Sequence, residues 1–209
     1  MARHARTQIG EYMNPLASAT SQPRALLVLE DGTTFEGRCC GASGETFGEI
    51  VFNTSMTGYQ EIISDPSYAG QIVTLTYPQV GNYGIDPAVM QRDVLHLRGF
   101  VVHDMCYEPS NWTSKQSLPE FLQENGIVAI EGIDTRALTM HLRDFGAQKA
   151  AISTEDLDPA HLLARVQASP NISEHNFVPD VSVDAPHVVP ATSKKRFNVV
   201  AYDCGEKNG

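Results

Sequence analysis

Asp31-Gly32 separates two runs suited to strands, Arg24–Glu30 and Thr33–Arg38. A two-residue turn of this type joins antiparallel strands and sets their register, because both central positions favour positive φ. Further strand-like runs follow at Glu49–Thr54, Gln71–Tyr77, Phe100–His103, Ile127–Ile130 and Gln148–Ser153. Gly41, Gly44 and Gly48 break the chain before Glu49, and Pro78, Gly81 and Gly84 end the Gln71 run. Helix signals come later. Ser117 caps a helix over Leu118–Asn125, closed by Gly126. Asp134 or Thr135 caps a second, running to Phe145 and closed by Gly146, with Leu138, Leu142 and Phe145 on one face. Asp158 before Pro159 starts a third, to Ala168. Hairpins first and helix–strand pairs afterwards predict a β-rich core with helices on one side.

The remaining chain is less regular. Residues 1–22 read as a flexible tail: basic residues such as Arg3 and Arg6 are present, but the apolar core of a secretory signal is not. The absence of acids before Glu11 fits a mitochondrial transit peptide loosely. Ser169–Arg196 reads as a linker, and Phe197–Asp203 as an apolar strand of parallel-sheet type. The 209 residues suit one medium domain or two small ones, and 42% hydrophobic with 19% charged residues is a globular composition. A net charge of −10 disfavours nucleic acid and anionic membrane as partners. Without a secretion signal, the sequons at Asn53, Asn111 and Asn171 are chance matches.

Motifs for chemistry are mostly absent. The glycines Gly41, Gly44 and Gly48 miss the dinucleotide-binding spacing, and no Gly-Lys-Ser/Thr phosphate loop occurs. Cys39, Cys40, Cys106 and Cys204 form no CxxC pair and read as reduced thiols, with no metal site. None lies in a nucleophile elbow beside a His base. His4, His96, His103, His141, His161, His175 and His187 are scattered. His103 and Asp104 are neighbours on a strand and so face opposite ways. Arg136 sits in the first turn of its helix, where the macrodipole disfavours a cation. A carboxylate partner, inside the domain or across an interface, explains it better.

One segment mixes chemistry that core strands do not need. FNTSMTGYQEIISDPSY, from Phe52 to Tyr68, gathers hydroxyls, an amide and an acid before a turn, Asp65-Pro66-Ser67. Asp bonds the backbone two residues on and Pro fixes φ, so the turn is rigid. Flanked by Tyr59 and Tyr68, it can present hydrogen bonds to a small ligand, or its hydroxyls can satisfy their own backbone.

This run resembles the N-terminal domain of the small, glutamine-hydrolysing subunit of carbamoyl-phosphate synthase. ALLVLEDGTTFEG from Ala25, QIVTLTYPQVGNYG from Gln71, VAIEGIDTRALT from Val128 and FNVVAYDCG from Phe197 resemble the same family in the same order. The resemblance implies an α/β fold with a swivelling β/β/α domain over residues 23–155. A helix and linker would follow at 156–196, and the first strand of an incomplete class I glutaminase domain at 197–209. It implies that Ser67 reaches the glutamine site of the neighbouring glutaminase domain, and that the Cys-His-Glu triad lies outside this sequence. Cys204 departs from the family pattern, which has an apolar residue there, and reads as a small hydrophobe. The implied reaction makes carbamoyl phosphate from bicarbonate and glutamine-derived ammonia in the cytoplasm. ATP and magnesium would be used by the large synthetase subunit, to which this domain docks. Two other readings remain: a stand-alone, non-catalytic binding or assembly module, or the same fold with another ligand at the Tyr59–Tyr68 loop. A packed, ordered strand at Phe197 would favour the module.

Overall fold

A computed structural model of the chain describes residues 22–92 and 94–207. The tail expected over residues 1–22 lies outside these apart from Gln22, as does His4. The strands are β1 (Arg24–Leu29), β2 (Thr34–Cys39), β3 (Glu45–Asn53), β4 (Gln71–Leu75), β5 (Gln79–Val80), β6 (Gly99–Val101), β7 (Asp104–Met105), β8 (Val128–Glu131) and β9 (Gln148–Ser153). The helices are α1 (Tyr59–Ser64), α2 (Leu118–Glu124), α3 (Thr135–Phe145), α4 (Pro159–Ala168) and α5 (Val178–Val181).

Seven strands close into a barrel in the order β1-β2-β8-β6-β4-β3-β9, with β9 returning to β1. The expected hairpin is there: β1 pairs antiparallel with β2, and Val28 stands opposite Thr34. The run β3-β4-β6-β8 is parallel. Its crossovers carry α1 and α2. Period-2 alternation fills both sides of the wall. On β1, Ala25, Leu27 and Leu29 face inward with Ile50, Ile72, Val101, Ile130 and Ile152. Leu26 and Val28 face outward onto Leu162 and Val166 of α4. Burial on both faces removes more apolar surface from water than a single-faced sheet could.

The sequence pattern predicts helices on one side of the core, but they lie on more than one. Leu138 and Leu142 of α3 join the inner cluster. The helices α1 and α2 cover β4, β6 and β8, where Ile62, Ile63, Leu118 and Leu122 meet Val73, Phe100 and Ala129. A closed barrel has no preferred side, so helices follow whichever outer strand carries apolar residues. Phe145 does not share the buried face of α3. It is 73% exposed and lies over His141, with ring centroids 4.8 Å apart.

Gly48 does not break the chain. It lies inside β3 opposite Ala150. A Cβ there would stand 2.6 Å from the Gly70 carbonyl oxygen, so this glycine marks a close approach of backbones. The stretch expected as a linker holds a 3-10 turn, Ile172–Glu174, and the short helix α5. Phe197–Asp203 forms no strand. Phe197 is 81% and Tyr202 97% exposed. The barrel is closed, so its ladder offers this run no free edge.

Candidate functional site

The loop between β3 and β4 carries Ser67, and each of its turns is fixed by a traceable contact. Gly58, at φ 85, opens α1 without a side-chain cap. Tyr83 takes that role: its hydroxyl accepts from Gly58 N at 2.8 Å and Tyr59 N at 3.0 Å. Burial pushes the Tyr83 hydroxyl's pKa up, so it stays protonated. Tyr59 is a core residue rather than a ligand contact. Its ring stacks on Tyr83 at 4.0 Å and its hydroxyl donates to Gly84 O at 2.7 Å. Tyr68 is also engaged, its hydroxyl accepting from Asn53 Nδ2 at 2.9 Å. The sequence shows no signal for α1, which is one turn and a half long and begins at a glycine.

After α1, Asp65 caps a 3-10 turn, Pro66–Tyr68, with Oδ1 accepting from Ser67 N at 2.8 Å. Pro66 is buried and Ser67 is exposed. Oδ2 of Asp65 accepts from Lys207 Nζ at 2.6 Å. Burial pushes the Asp65 carboxyl up, but hydrogen bonds from Lys207 and Ser67 outweigh it and hold the group below the usual aspartate range. Asp203 accepts from Arg92 Nη2 at 2.7 Å, from Gly205 N at 3.0 Å and from Glu206 N at 2.7 Å. Arg92 Nε donates to Glu206 O at 2.6 Å. Residues 203–207 thus form a folded turn against the Ser67 turn, with Gly205 between Val181 and Pro66. These partners are more than 100 residues apart, so the sequence held no signal for the contact.

The other candidates do not converge. Cys39 and Cys40 are buried, and burial pushes the Cys40 thiol well up, which makes it a poor nucleophile. Cys106 donates to Glu108 O at 3.4 Å. Cys204, read from the sequence as a small hydrophobe, is exposed. All four are free thiols. His103 Nδ1 lies 2.7 Å from Ile133 O and is not oriented by Asp104. His141, His161 and His175 each pair with a surface carboxylate, Asp31, Asp156 and Asp180. Among the described residues no cluster of His, Cys, Asp and Glu could hold a metal, and no helix is long and apolar enough to cross a membrane. Arg136 is exposed and makes no ion pair among the described residues.

The carbamoyl-phosphate synthase small chain, CPSase domain, matches residues 27–152, the stretch that builds the barrel and carries Ser67. The chain is 47% identical over 196 residues to the carbamoyl phosphate synthase small chain of Syntrophotalea carbinolica, covering 88% of this chain and 52% of the relative. It is 52% identical over 164 residues to that of Nitratidesulfovibrio vulgaris, covering 78% and 44%. With the Thermotoga maritima small chain it shares 50% over 186 residues, covering 89% and 47%. The chain spans about half the length of these relatives. Matched over most of its length by the family model and by relatives at this identity, the chain belongs to the carbamoyl-phosphate synthase small chain family.

Proposed function

We propose that this chain serves as the N-terminal part of the small subunit of a glutamine-dependent carbamoyl-phosphate synthase. In this reading it adopts the family's swivelling-domain role, docks to the large synthetase subunit, and supplies one wall of the glutamine site through Ser67. The glutaminase domain that follows in a subunit of the relatives' length releases ammonia from glutamine. The large subunit, with ATP and magnesium, converts that ammonia to carbamoyl phosphate in the cytoplasm. The present chain alone is expected to hydrolyse no glutamine.

The observation that carries the reading is the contact between the Ser67 turn and residues 203–207. Lys207 bonds the carboxylate that caps the Ser67 turn. Residues 203–207 therefore lie beside Ser67, an exposed residue on a rigid turn. Preorganisation of this kind lets a single hydrogen bond contribute to binding, because little ordering entropy is lost. The exposed, unpaired Phe197–Tyr202 run supports a chain that continues into a further sheet over a self-contained module.

The test is Ser67→Ala in a subunit of the relatives' length, assayed with its large subunit. A neutral hydrogen bond is worth about 1 kcal/mol, so glutamine-dependent synthesis is expected to fall several-fold. Synthesis from free ammonia is expected to be unchanged. Equal loss with both nitrogen sources would make Ser67 a structural residue and overturn the assignment.

A further inference from the structure

The stretch expected as a linker also touches the Ser67 turn. The turn ends at Gly70, a buried residue at φ 79. Its N–H donates to His96 O at 3.2 Å, and its carbonyl oxygen accepts from Glu49 N at 3.3 Å. Gly48 of β3 approaches that carbonyl, and Phe177 approaches the α-carbon. A Cβ on Gly70 would overlap Cζ of the Phe177 ring and stand 2.9 Å from Cε1. Ring and backbone are therefore in direct contact, and only a glycine leaves room for it.

Phe177 is itself held. Its ring meets the His175 ring edge-on, with centroids 4.4 Å apart, and His175 Nε2 lies 2.6 Å from Asp180 Oδ2. Its carbonyl accepts from Asp180 N at 3.0 Å and Val181 N at 3.1 Å. Val178 N donates to Asn176 Oδ1 at 3.1 Å. This part of the linker thus has a fixed shape of its own. Val181, at the end of α5, carries the contact onward: a Cβ on Gly205 would stand 3.1 Å from Val181 Cγ2 and 3.8 Å from Pro66 Cβ. The linker is fastened at Gly70, where the turn ends, and through Gly205 near Pro66, where it begins. Residues 184–202 differ: all of them are exposed. A segment that only spanned a distance would act through its length and stiffness and would need no such contacts.

We infer that Phe177 is a positioning residue for Ser67: through Gly70 it clamps the end of the turn, so that Ser67 keeps one place relative to the barrel and to residues 203–207. This rests on the reading that Ser67 contributes to the glutamine site, and it deepens that reading. Without the ring, Ala69 and Gly70 gain freedom, and the cost of ordering them falls on glutamine binding. Phe177 touches Gly70 and not the site, so its effect passes entirely through the turn.

Phe177→Ala in a subunit of the relatives' length, assayed with its large subunit and crossed with Ser67→Ala, tests this. Phe177→Ala is expected to lower kcat/KM for glutamine by up to about fivefold, with KM carrying the change. The loss should not exceed that of Ser67→Ala, because misplacing Ser67 can remove no more than its hydrogen bond. Synthesis from free ammonia is expected to be unchanged. In the double variant Phe177→Ala is expected to add nothing, since the residue it positions is already gone. Phe177→Leu is expected to recover part of the loss, and Val188→Ala, on the exposed stretch, to change nothing. Hydrogen exchange on the present chain gives a second readout, in which Phe177→Leu is expected to lower protection of the Ala69 and Gly70 amides about threefold or more while β1 keeps its own. An unchanged response to glutamine in Phe177→Ala, with a loss in Ser67→Ala, overturns the positioning role and leaves the Ser67 assignment standing. Additive losses in the double variant, or unchanged protection at Ala69 and Gly70, also overturn it. No loss in Ser67→Ala overturns both.

Discussion

Tyr83→Phe removes one oxygen atom and leaves the ring stack with Tyr59 in place. The hydroxyl it deletes accepts from two backbone donors, Gly58 N and Tyr59 N. These are orphan donors of the first turn of α1, which has no side-chain cap. Each lost bond is worth about 0.5–1.5 kcal/mol, and more where the donor stays out of reach of water. Tyr59 is buried and Gly58 is half-buried, so water restores the second donor better than the first. The sum is about 2–3 kcal/mol. At roughly 2–4 °C per kcal/mol for a domain of this size, Tm is expected to fall by about 4–12 °C. Calorimetric melting measures the total, and hydrogen exchange localises it. Amides from Ile62 to Ser67 are expected to lose protection while those of β1, three strands from β4 around the barrel, keep theirs. A variant that melts within 1 °C of wild type, with the Ile62 amide still protected, would refute the claim that Tyr83 caps α1.

Two further outcomes follow from side chains that tie distant parts of the chain together. Arg92→Ala removes the half-buried pair with Asp203 and the bond to Glu206 O; protection of the Gly205 and Glu206 amides is expected to drop by about tenfold or more, with the Ser67 amide unaffected, as read by hydrogen exchange. Glu45 is held below the usual glutamate range by Arg165, with Ser153 adding to it against burial. Its folded pKa is the lower one, so its contribution is complete above the unfolded value of about 4.3 and is lost as pH falls through the folded value. Acid melts are expected to show less dependence on pH below about 4.3 in Arg165→Met than in wild type.

Local signals in the sequence were read well where the chain signals with its own neighbours. Asp31-Gly32 gave the hairpin, Ser117 gave the start of α2, and Asp158-Pro159 gave α4 over its observed bounds. These depend on two to four adjacent residues, so no tertiary contact had to be known. The barrel was not legible. Strand-forming runs of Val and Ile do not encode which strand lies beside which, and closure depends on pairings such as β1 with β9, about 120 residues apart. Gly48 was misread for the same reason: its close neighbour, the Gly70 carbonyl, comes from another strand's start. The rigid Ser67 turn was visible through Asp65 and Pro66. Its contact with Lys207, and the Arg92–Asp203 pair beside it, were not, because a charge pair across 100 residues leaves no periodicity.

Asp65 is where these threads meet, and its two oxygen atoms have different tasks. Oδ1 accepts from Ser67 N and fixes the 3-10 turn; Oδ2 accepts from Lys207 and draws the C-terminal turn onto it. Pro66 alone would restrict one dihedral but would leave the turn's first amide unpaired. Lys207 alone would bring a flexible side chain near Ser67 without fixing its backbone. One carboxylate serving both fixes Ser67 relative to its own turn and to the turn over residues 203–207. The barrel supplies the fixed frame. Parallel pairing of β3 with β4 makes their connection travel back along the wall, so the turn must end where β4 begins, and Gly70 closes it by donating its N–H to His96 O at 3.2 Å. The role proposed for Ser67, completing a site on a neighbouring domain, calls for that double constraint, since freedom in either the turn or the junction would return the entropy that a preorganised contact removes.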